Sequence, residues 1–191
     1  MDYGEILVTG MAIILAAIQS WKWWAEQKAK EKDIYTELLP KMEEIYSVLN
    51  NLLLSTDALR VVVLCTENGG GVPRTGKPLY SSILYEVKKN HLSPDLKTTW
   101  QKQLVDEHYV SLLLEVHTKH QAILKTEEMP EGILKDLYVS EEVEGSLVFG
   151  ITVANDRFYY LSLTYRKETE LTPIIRNSVR VATAKLALAL G

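Results

Sequence analysis

Residues 145–190 have the sequence GSLVFGITVANDRFYYLSLTYRKETELTPIIRNSVRVATAKLALAL, and their pattern determines the fold class. Apolar and polar residues alternate over 146–153 and again over 158–165, which is typical of β-strands. The turn sequence Asn-Asp-Arg at 155–157 separates these two segments, so they are predicted to form an antiparallel hairpin. Thr172 followed by Pro173 is a helix-starting pair. The predicted last helix has an apolar stripe formed by Ile174, Ile175, Val179, Ala182, Leu186 and Ala189.

Two further strands are predicted earlier in the chain. Residues 58–66 are rich in β-branched residues and are predicted to be buried on both faces of the sheet. Residues 79–87 alternate, which places Leu79, Ser81, Ile83, Tyr85 and Val87 on one face. The glycine-rich loop at 67–78 contains the spacing of a phosphate-binding loop, GVPRTGK. Pro78 stands where that motif needs Ser or Thr, and a strand follows instead of a helix, so nucleotide hydrolysis is excluded.

Helices are predicted on either side of these strands. Residues 25–51 are rich in helix formers, although Pro40 predicts a kink or a restart. Their apolar seam fits an amphipathic helix that covers a sheet and fits a short coiled-coil seam equally well. The seam consists of Leu38, Met42, Ile45, Leu49 and Leu52. Residues 93–125 are predicted to be helical from Ser93 as N-cap. The order of elements predicts an α+β fold, an antiparallel sheet with helices on one face.

The first strand with the helix before it, LLLSTDALRVVVL, and the terminal hairpin with its helix resemble a GAF domain. The resemblance covers residues 34–190, and the segment ENGGGVPRTGKPLYSSILYE is similar to small GAF-like proteins of phages and bacteria. It implies a GAF/PAS-like sheet, a layer formed by the first and last helices that often serves as a dimer surface, and a small-ligand pocket on the other face. The signature of cyclic-nucleotide GAF domains is missing, as is a chromophore-linking cysteine in the helical segment, so no cofactor is expected.

Pocket candidates are aromatic and polar positions expected to face that second layer, where packing in the core is the alternative role for each. They are Tyr80, Ser82, Trp100, Tyr109, Phe149 and Tyr159. No metal site is predicted, because His108 and His117 are too far apart on a helix to converge and no HExxH motif is formed. Cys65 is the one cysteine and lies among valines, which predicts a small buried side chain in a reduced, intracellular protein.

The N-terminus carries a charge-free apolar run from Ile6 to Trp21. Its length is at the short end for a membrane-spanning helix, and Trp21, Lys22, Trp23 and Trp24 are predicted to lie at the membrane interface. Lysines follow the run and none precedes it, so the rest of the chain is expected on the cytoplasmic side of the inner membrane. The alternative is an apolar helix packed in an assembly. The predicted organisation is an anchor at 1–24, a helical stalk at 25–54 and a GAF-like domain at 55–191.

Composition limits the function. The chain has 191 residues with 21 Lys and Arg against 25 Asp and Glu, and this mild acidity argues against a general nucleic-acid binder. No nucleophile, metal cluster or carboxylate pair points to catalysis, so we expect a protein that is not an enzyme. The favoured function is a membrane-anchored oligomerisation or protein-recruitment module, expected to form a homodimer or higher oligomer with a protein partner. The alternative is a small-ligand sensory module that signals through a separate partner protein.

Overall fold

The computed structural model describes residues 3–68, 78–89 and 95–191, and within these ranges the side chains of all residues except 3–15 and 26–38. The chain divides into two compact units, Met1–Glu43 and Glu44–Gly191. The first consists of the N-terminal part of one long helix, and the second is an α+β domain. The predicted loop residues 69–77 and the predicted cap Ser93 lie outside the described residues.

The elements follow one another in an order close to the predicted one. The helices are α1 (Tyr3–Thr56), α2 (Leu96–Thr99), α3 (Glu107–Lys119), α4 (Ile133–Ser140) and α5 (Pro173–Leu190), with a 3-10 turn at Thr126–Glu128. The strands are β1 (Arg60–Glu67), β2 (Tyr80–Lys88), β3 (Gln103–Leu104), β4 (Gln121–Lys125), β5 (Gly145–Ala154) and β6 (Arg157–Tyr165).

The six strands form one antiparallel sheet in the order β3-β2-β1-β6-β5-β4. The predicted hairpin is confirmed as β5 and β6, which pair from Gly145 opposite Tyr165 to Ala154 opposite Arg157. Asn155 and Asp156 both have positive φ, which closes the hairpin as a tight two-residue turn. β1 lies between β2 and β6 and is buried along its whole length, as its β-branched sequence predicts.

Two irregularities interrupt the regular pairing of the strands. Val63 pairs with Tyr85 and Leu64 pairs with Ile83, so Leu84 of β2 is an extra residue without an opposite partner. The predicted single face of β2 is therefore wrong: Ile83 packs on one side of the sheet, and Val87 packs on the other. A second irregularity lies between Gly150 and Thr152 in β5.

One side of the sheet is covered by the end of α1 and by α5. The α1 side chains Ile45, Leu49 and Leu52 are buried in this layer, which confirms the prediction of an amphipathic helix that covers a sheet. The α5 residues buried against the same strands are Ile175, Val179, Ala182 and Leu186. Thr172 caps α5 through its hydroxyl, which accepts a hydrogen bond from the Ile175 amide at 3.3 Å. The core of this unit begins at Ile45, before the predicted domain boundary at residue 55.

The other side of the sheet is covered by α2, α3 and α4, so the prediction of helices on one face is wrong. Alternate residues of β1 supply both layers: Val61 and Val63 face α1 and α5, while Val62 and Leu64 face the opposite helices. A central strand buried on both faces requires two covering layers, because its apolar side chains point in both directions.

Residues 93–125 do not form the continuous helix that their periodicity predicts. In the described part they comprise α2, β3, α3 and β4. Asp106 starts α3 as its N-cap, with the Tyr109 amide donating to its carboxylate at 2.8 Å, and His120 ends α3 in the left-handed conformation. In α1, by contrast, the helix continues through Pro40, so a restart there is wrong and the alternative, a kink at Pro40, stays a prediction.

Candidate functional site

A cavity lies between the sheet and the layer of α2, α3 and α4. Its volume is about 40 Å³. Its walls are mainly apolar. The side chains that line it are Val62, Leu64, Ile83, Leu96, Trp100, Tyr109, Leu112, Leu134, Leu137, Tyr138, Val148 and Tyr160, with Arg60, Ser162 and Thr164 as further polar members.

Hydrogen bonds hold the helices over this cavity. The Ile83 amide of β2 donates to the Trp100 carbonyl at 3.1 Å, which ties the end of α2 to the sheet. The carboxylate of Asp106 accepts from the Tyr109 amide at 2.8 Å and from the Ile133 amide at 3.3 Å. One side chain therefore holds the starts of α3 and α4 together, and the two helices cover the cavity as a pair.

Three buried hydroxyl groups form a cluster in this layer. The Tyr160 hydroxyl lies 2.7 Å from that of Tyr109 and 2.5 Å from that of Ser81, and the Ser81 and Tyr109 hydroxyls are 3.3 Å apart. Burial raises the pKa of Tyr109 to about 12 and also raises the pKa of Tyr160 well above its ordinary value. Both phenols are therefore neutral at physiological pH, and each can donate a hydrogen bond within the cluster.

A buried ionic group lies at the start of β1. Arg60, with only 3% of its side chain exposed, places Nε 3.1 Å from Glu86 of β2 and Nη2 3.0 Å from Glu141 at the end of α4. The Glu86 carboxylate also accepts from the Lys97 amide at 2.7 Å. Burial and a hydrogen bond with Asp95 raise the pKa of Glu86, and the Lys97 amide and Arg60 oppose this shift. The guanidinium is thus neutralised by two carboxylates from different elements.

Thr164 lies directly opposite Arg60 in the pairing of β1 with β6. Its hydroxyl is buried and has no hydrogen-bond partner among the described residues. An unpaired buried hydroxyl costs about 1–3 kcal/mol, so a partner in the cavity would relieve a real penalty. The neighbouring hydroxyls are paired: Tyr138 donates to Ser146 at 2.9 Å, and Ser146 lies 3.3 Å from Ser162.

Comparison with known proteins shows what this architecture is similar to. A GAF domain of a two-component sensor histidine kinase from Bacillus halodurans matches with a TM-score of 0.55 at 14% identity, over 77% of this chain and 90% of that chain. The domain has a GAF-like fold. A far-red cyanobacteriochrome photoreceptor matches with a TM-score of 0.55 at 13% identity, over 86% and 95% of the two chains. A phycocyanobilin-bound GAF domain from a cyanobacterial phytochrome gives 0.50 at 11% identity, over 82% and 92%. No protein-family model matches the sequence, and no curated protein matches it.

The cavity of this GAF-like domain does not fit a tetrapyrrole such as phycocyanobilin. Its volume of about 40 Å³ compares with about 150 Å³ for a protein cavity that holds a single benzene ring. Cys65 is not among its lining residues, and burial raises the pKa of this thiol to about 11, which keeps it protonated. Arg157 favours the thiolate of Cys65, but burial and the Glu67 carboxylate outweigh it, so this thiol is not of the low-pKa kind that makes a cysteine reactive.

Two of the six pocket candidates, Trp100 and Tyr109, line the cavity. The other four do not. Phe149 faces α1 and α5, because Leu147 and Phe149 share the opposite face of β5. Ser82 donates to the Glu67 carboxylate and accepts from the Lys102 amide at 2.8 Å.

Tyr80 and Tyr159 lie on either side of the end of β1, where they pair with Glu67 and Cys65. Tyr80 is partly exposed opposite Leu104 of β3, and Tyr159 is buried opposite Cys65 of β1. The four candidates outside the cavity thus belong to strand ends or to the other layer.

The polar residues that the sequence analysis missed are Arg60, Tyr138, Tyr160, Ser162 and Thr164. Arg60 carried a usable signal, since it is the one charged residue at the start of a run of valines. A charge in a strand buried on both faces must have a partner, because an unpaired buried charge is very costly. The serines and threonines carried no such signal, since these residues occur throughout exposed strands.

No cluster of metal-binding side chains occurs in the described ranges. His108, His117 and His120 are exposed, and His117 packs edge-on against Phe158 with ring centroids 5.3 Å apart. His91 lies outside the described residues.

The predicted interface residues in the N-terminal unit are exposed. Trp21, Trp23 and Trp24 each expose about half or more of their surface, and the rings of Trp21 and Trp24 lie 5.6 Å apart. Lys22 is exposed beside them. Across the described part of the chain we find no helix stretch that is both long and apolar enough to cross a membrane. The side chains of the apolar run up to Leu15 are outside the described set, so the anchor stays a prediction.

Proposed function

We propose that this chain is a sensory module whose GAF-like domain binds a small ligand and signals through a separate partner protein. The observation that carries this proposal is the cavity behind α2, α3 and α4, with an unpartnered hydroxyl, that of Thr164, at its wall. A cavity with apolar walls and a few placed polar groups is the usual form of a small-molecule site. GAF folds of similar architecture occur in a sensor histidine kinase and in a photoreceptor.

The proposed role is non-catalytic. The hydroxyls at the cavity belong to neutral phenols, serine and threonine, and none of the lining residues is a histidine or a free carboxylate that could act as a base. The ionic group at Arg60 is arranged as a closed pair of salt bridges, which stabilises a fixed geometry instead of activating a nucleophile.

The sensory function predicts that the purified full-length chain is stabilised by a small molecule. Native mass spectrometry would detect a ligand that co-purifies, and a thermal-shift screen of small neutral, charged and large cofactor-like compounds would detect one added later. A ligand present at a hundred times its dissociation constant stabilises a protein by about 2.7 kcal/mol. A chain that no class of compound stabilises, and that carries nothing when purified, would contradict the proposal.

A second candidate function is oligomerisation or protein recruitment, favoured by the outer surface of α1 and α5. Leu54 of α1 and Ile174 and Leu188 of α5 are all more than 70% exposed. A groove runs between the two helices, and Leu52 and Val181 are among its lining residues. Exposed apolar side chains beside a groove are typical of a surface that binds a protein, and we propose a homodimer as its simplest occupant.

This second function is tested with Val181→Asp, which places a charge in the groove. Val139→Asp is the matched control, because Val139 is a similarly exposed valine on α4. Light scattering coupled to size-exclusion chromatography should show a dimer for the control and a monomer for Val181→Asp. A monomeric wild-type chain at high protein concentration would overturn the dimer.

The proposed location is the cytoplasmic face of the inner membrane, through the N-terminal helix. The support is the exposed tryptophan group with Lys22, since tryptophan is enriched at membrane interfaces. Cell fractionation tests this directly. Full-length protein that stays in the soluble fraction without detergent would contradict it.

A further inference from the structure

The size of the cavity favours a small occupant. The cavity of about 40 Å³ is much smaller than the cavity of about 150 Å³ that holds the six carbon atoms of benzene, so its occupant has fewer heavy atoms than benzene. An occupant of three or four heavy atoms fits with adjustment of a side chain such as Leu112, which is only partly buried. Cyclic nucleotides and tetrapyrroles are far larger than this space.

The polar wall sets the charge of the occupant. Arg60 is the cationic residue among the lining side chains, and it contacts Glu86 at 3.1 Å and Glu141 at 3.0 Å. One positive charge beside two carboxylates gives no net attraction for an anion. A buried anion without a cationic partner is strongly disfavoured, so carboxylates and phosphates are poor occupants.

The hydroxyl of Thr164 supplies the point of recognition. It is buried beside Arg60, it lines the cavity, and it has no hydrogen-bond partner in the described part of the chain. A threonine hydroxyl can donate one hydrogen bond and accept two, so it pairs with an alcohol, a carbonyl or an amide. The remaining wall is apolar, with Val62, Leu134, Leu137 and Val148 among its members.

We propose that the cavity binds a neutral molecule of about three or four heavy atoms with one hydrogen-bonding group, which pairs with the Thr164 hydroxyl while an alkyl part packs against the apolar wall. The inference rests on the proposed sensory function and specifies its ligand class. A ligand of this class differs from bilins and nucleotides, which are too large for the cavity and carry negative charges that its wall does not neutralise.

The test compares 2-propanol, which is neutral, with acetate, an anion with the same number of heavy atoms. Binding to the full-length chain is measured by saturation-transfer NMR and by the thermal midpoint. We expect 2-propanol to bind at least tenfold more tightly than acetate. Thr164→Val should weaken 2-propanol binding by about threefold to tenfold, the loss of one hydrogen bond. Thr152→Val, a substitution in β5 outside the cavity lining, is the matched control and should leave binding unchanged.

The outcomes separate the ligand class from the broader function. If acetate binds as tightly as 2-propanol, or if Thr164→Val and Thr152→Val behave alike, the proposed ligand class is overturned. If instead a cyclic nucleotide or a tetrapyrrole stabilises the chain, the ligand class fails and the sensory function stands. If no compound of any size or charge binds and circular dichroism shows all variants folded, the cavity holds only water and both proposals fail.

Discussion

Filling the cavity should stabilise the protein, and the effect can be calculated from its volume. Val148 of β5 lines the cavity and is 2% exposed, so Val148→Ile adds one methyl group next to empty space. Isoleucine keeps the β-branched shape that strands favour. Val62 of β1 also lines the cavity, so Val62→Ile adds a methyl group to the same space.

The expected gain follows from two independent figures. Removing a cavity is worth about 24 cal/mol per Å³, so the 40 Å³ here corresponds to an upper bound of about 1 kcal/mol. Burial of one methylene contributes about 0.8 kcal/mol. For a chain of this size, a gain of about 0.8 kcal/mol raises the thermal midpoint by roughly 2–3 °C.

The assay is urea unfolding followed by circular dichroism, with a thermal scan beside it. The matched control is Val61→Ile, because Val61 is a fully buried valine that faces the filled layer of α1 and α5. Inserting a methylene into a filled core costs about 1–3 kcal/mol, so this variant should be destabilised. The reasoning is refuted if Val148→Ile and Val62→Ile both lose as much stability as Val61→Ile.

Three further expectations follow from the polar contacts. Arg60→Met should lose about 3–5 kcal/mol of unfolding free energy in urea, because two carboxylates lose their partner, and adding Glu86→Gln should restore part of it. Tyr109 has an ordinary pKa near 10 when unfolded and about 12 when folded, so its contribution to stability is complete below about pH 10 and is lost as the pH rises towards 12. Unfolding free energies from pH 8 to 11.5 should therefore fall less steeply in Tyr109→Phe than in the wild-type chain, and equal slopes would contradict this. Thr172→Ala should cost about 1 kcal/mol in the same urea assay, while Thr169→Ala, which removes no helix cap, should cost less than half of that.

Local patterns predicted the parts of the fold that local chemistry determines. The β5–β6 hairpin follows from alternation around an Asn-Asp turn, and α5 follows from its Thr-Pro start. The strand at 58–66 was recognised from its valines, and its burial on both faces is confirmed. Each of these signals lies within a few residues of the element that it specifies.

The parts that could not be predicted depend on distant partners. β4 exists because Gln121–Lys125 pairs with β5, and nothing within those five residues distinguishes them from the end of a helix. The role of Arg60 depends on Glu141, which is 81 residues away in the chain. The second helical layer likewise depends on tertiary packing, because α2 is only four residues long and gives no periodic signal.

The unpaired residue Leu84 has a consequence for aligning this chain with other proteins. Ile83 faces the cavity, whereas Tyr85 and Val87, which are also odd-numbered, face the layer of α1 and α5. The alternation of faces along β2 therefore shifts by one residue at Leu84. An alignment that treats β2 as an unbroken strand therefore equates positions on one side of Leu84 with positions on the opposite face of the sheet. A one-residue gap at Leu84 is needed before any residue of β2 can be assigned to the ligand side by homology.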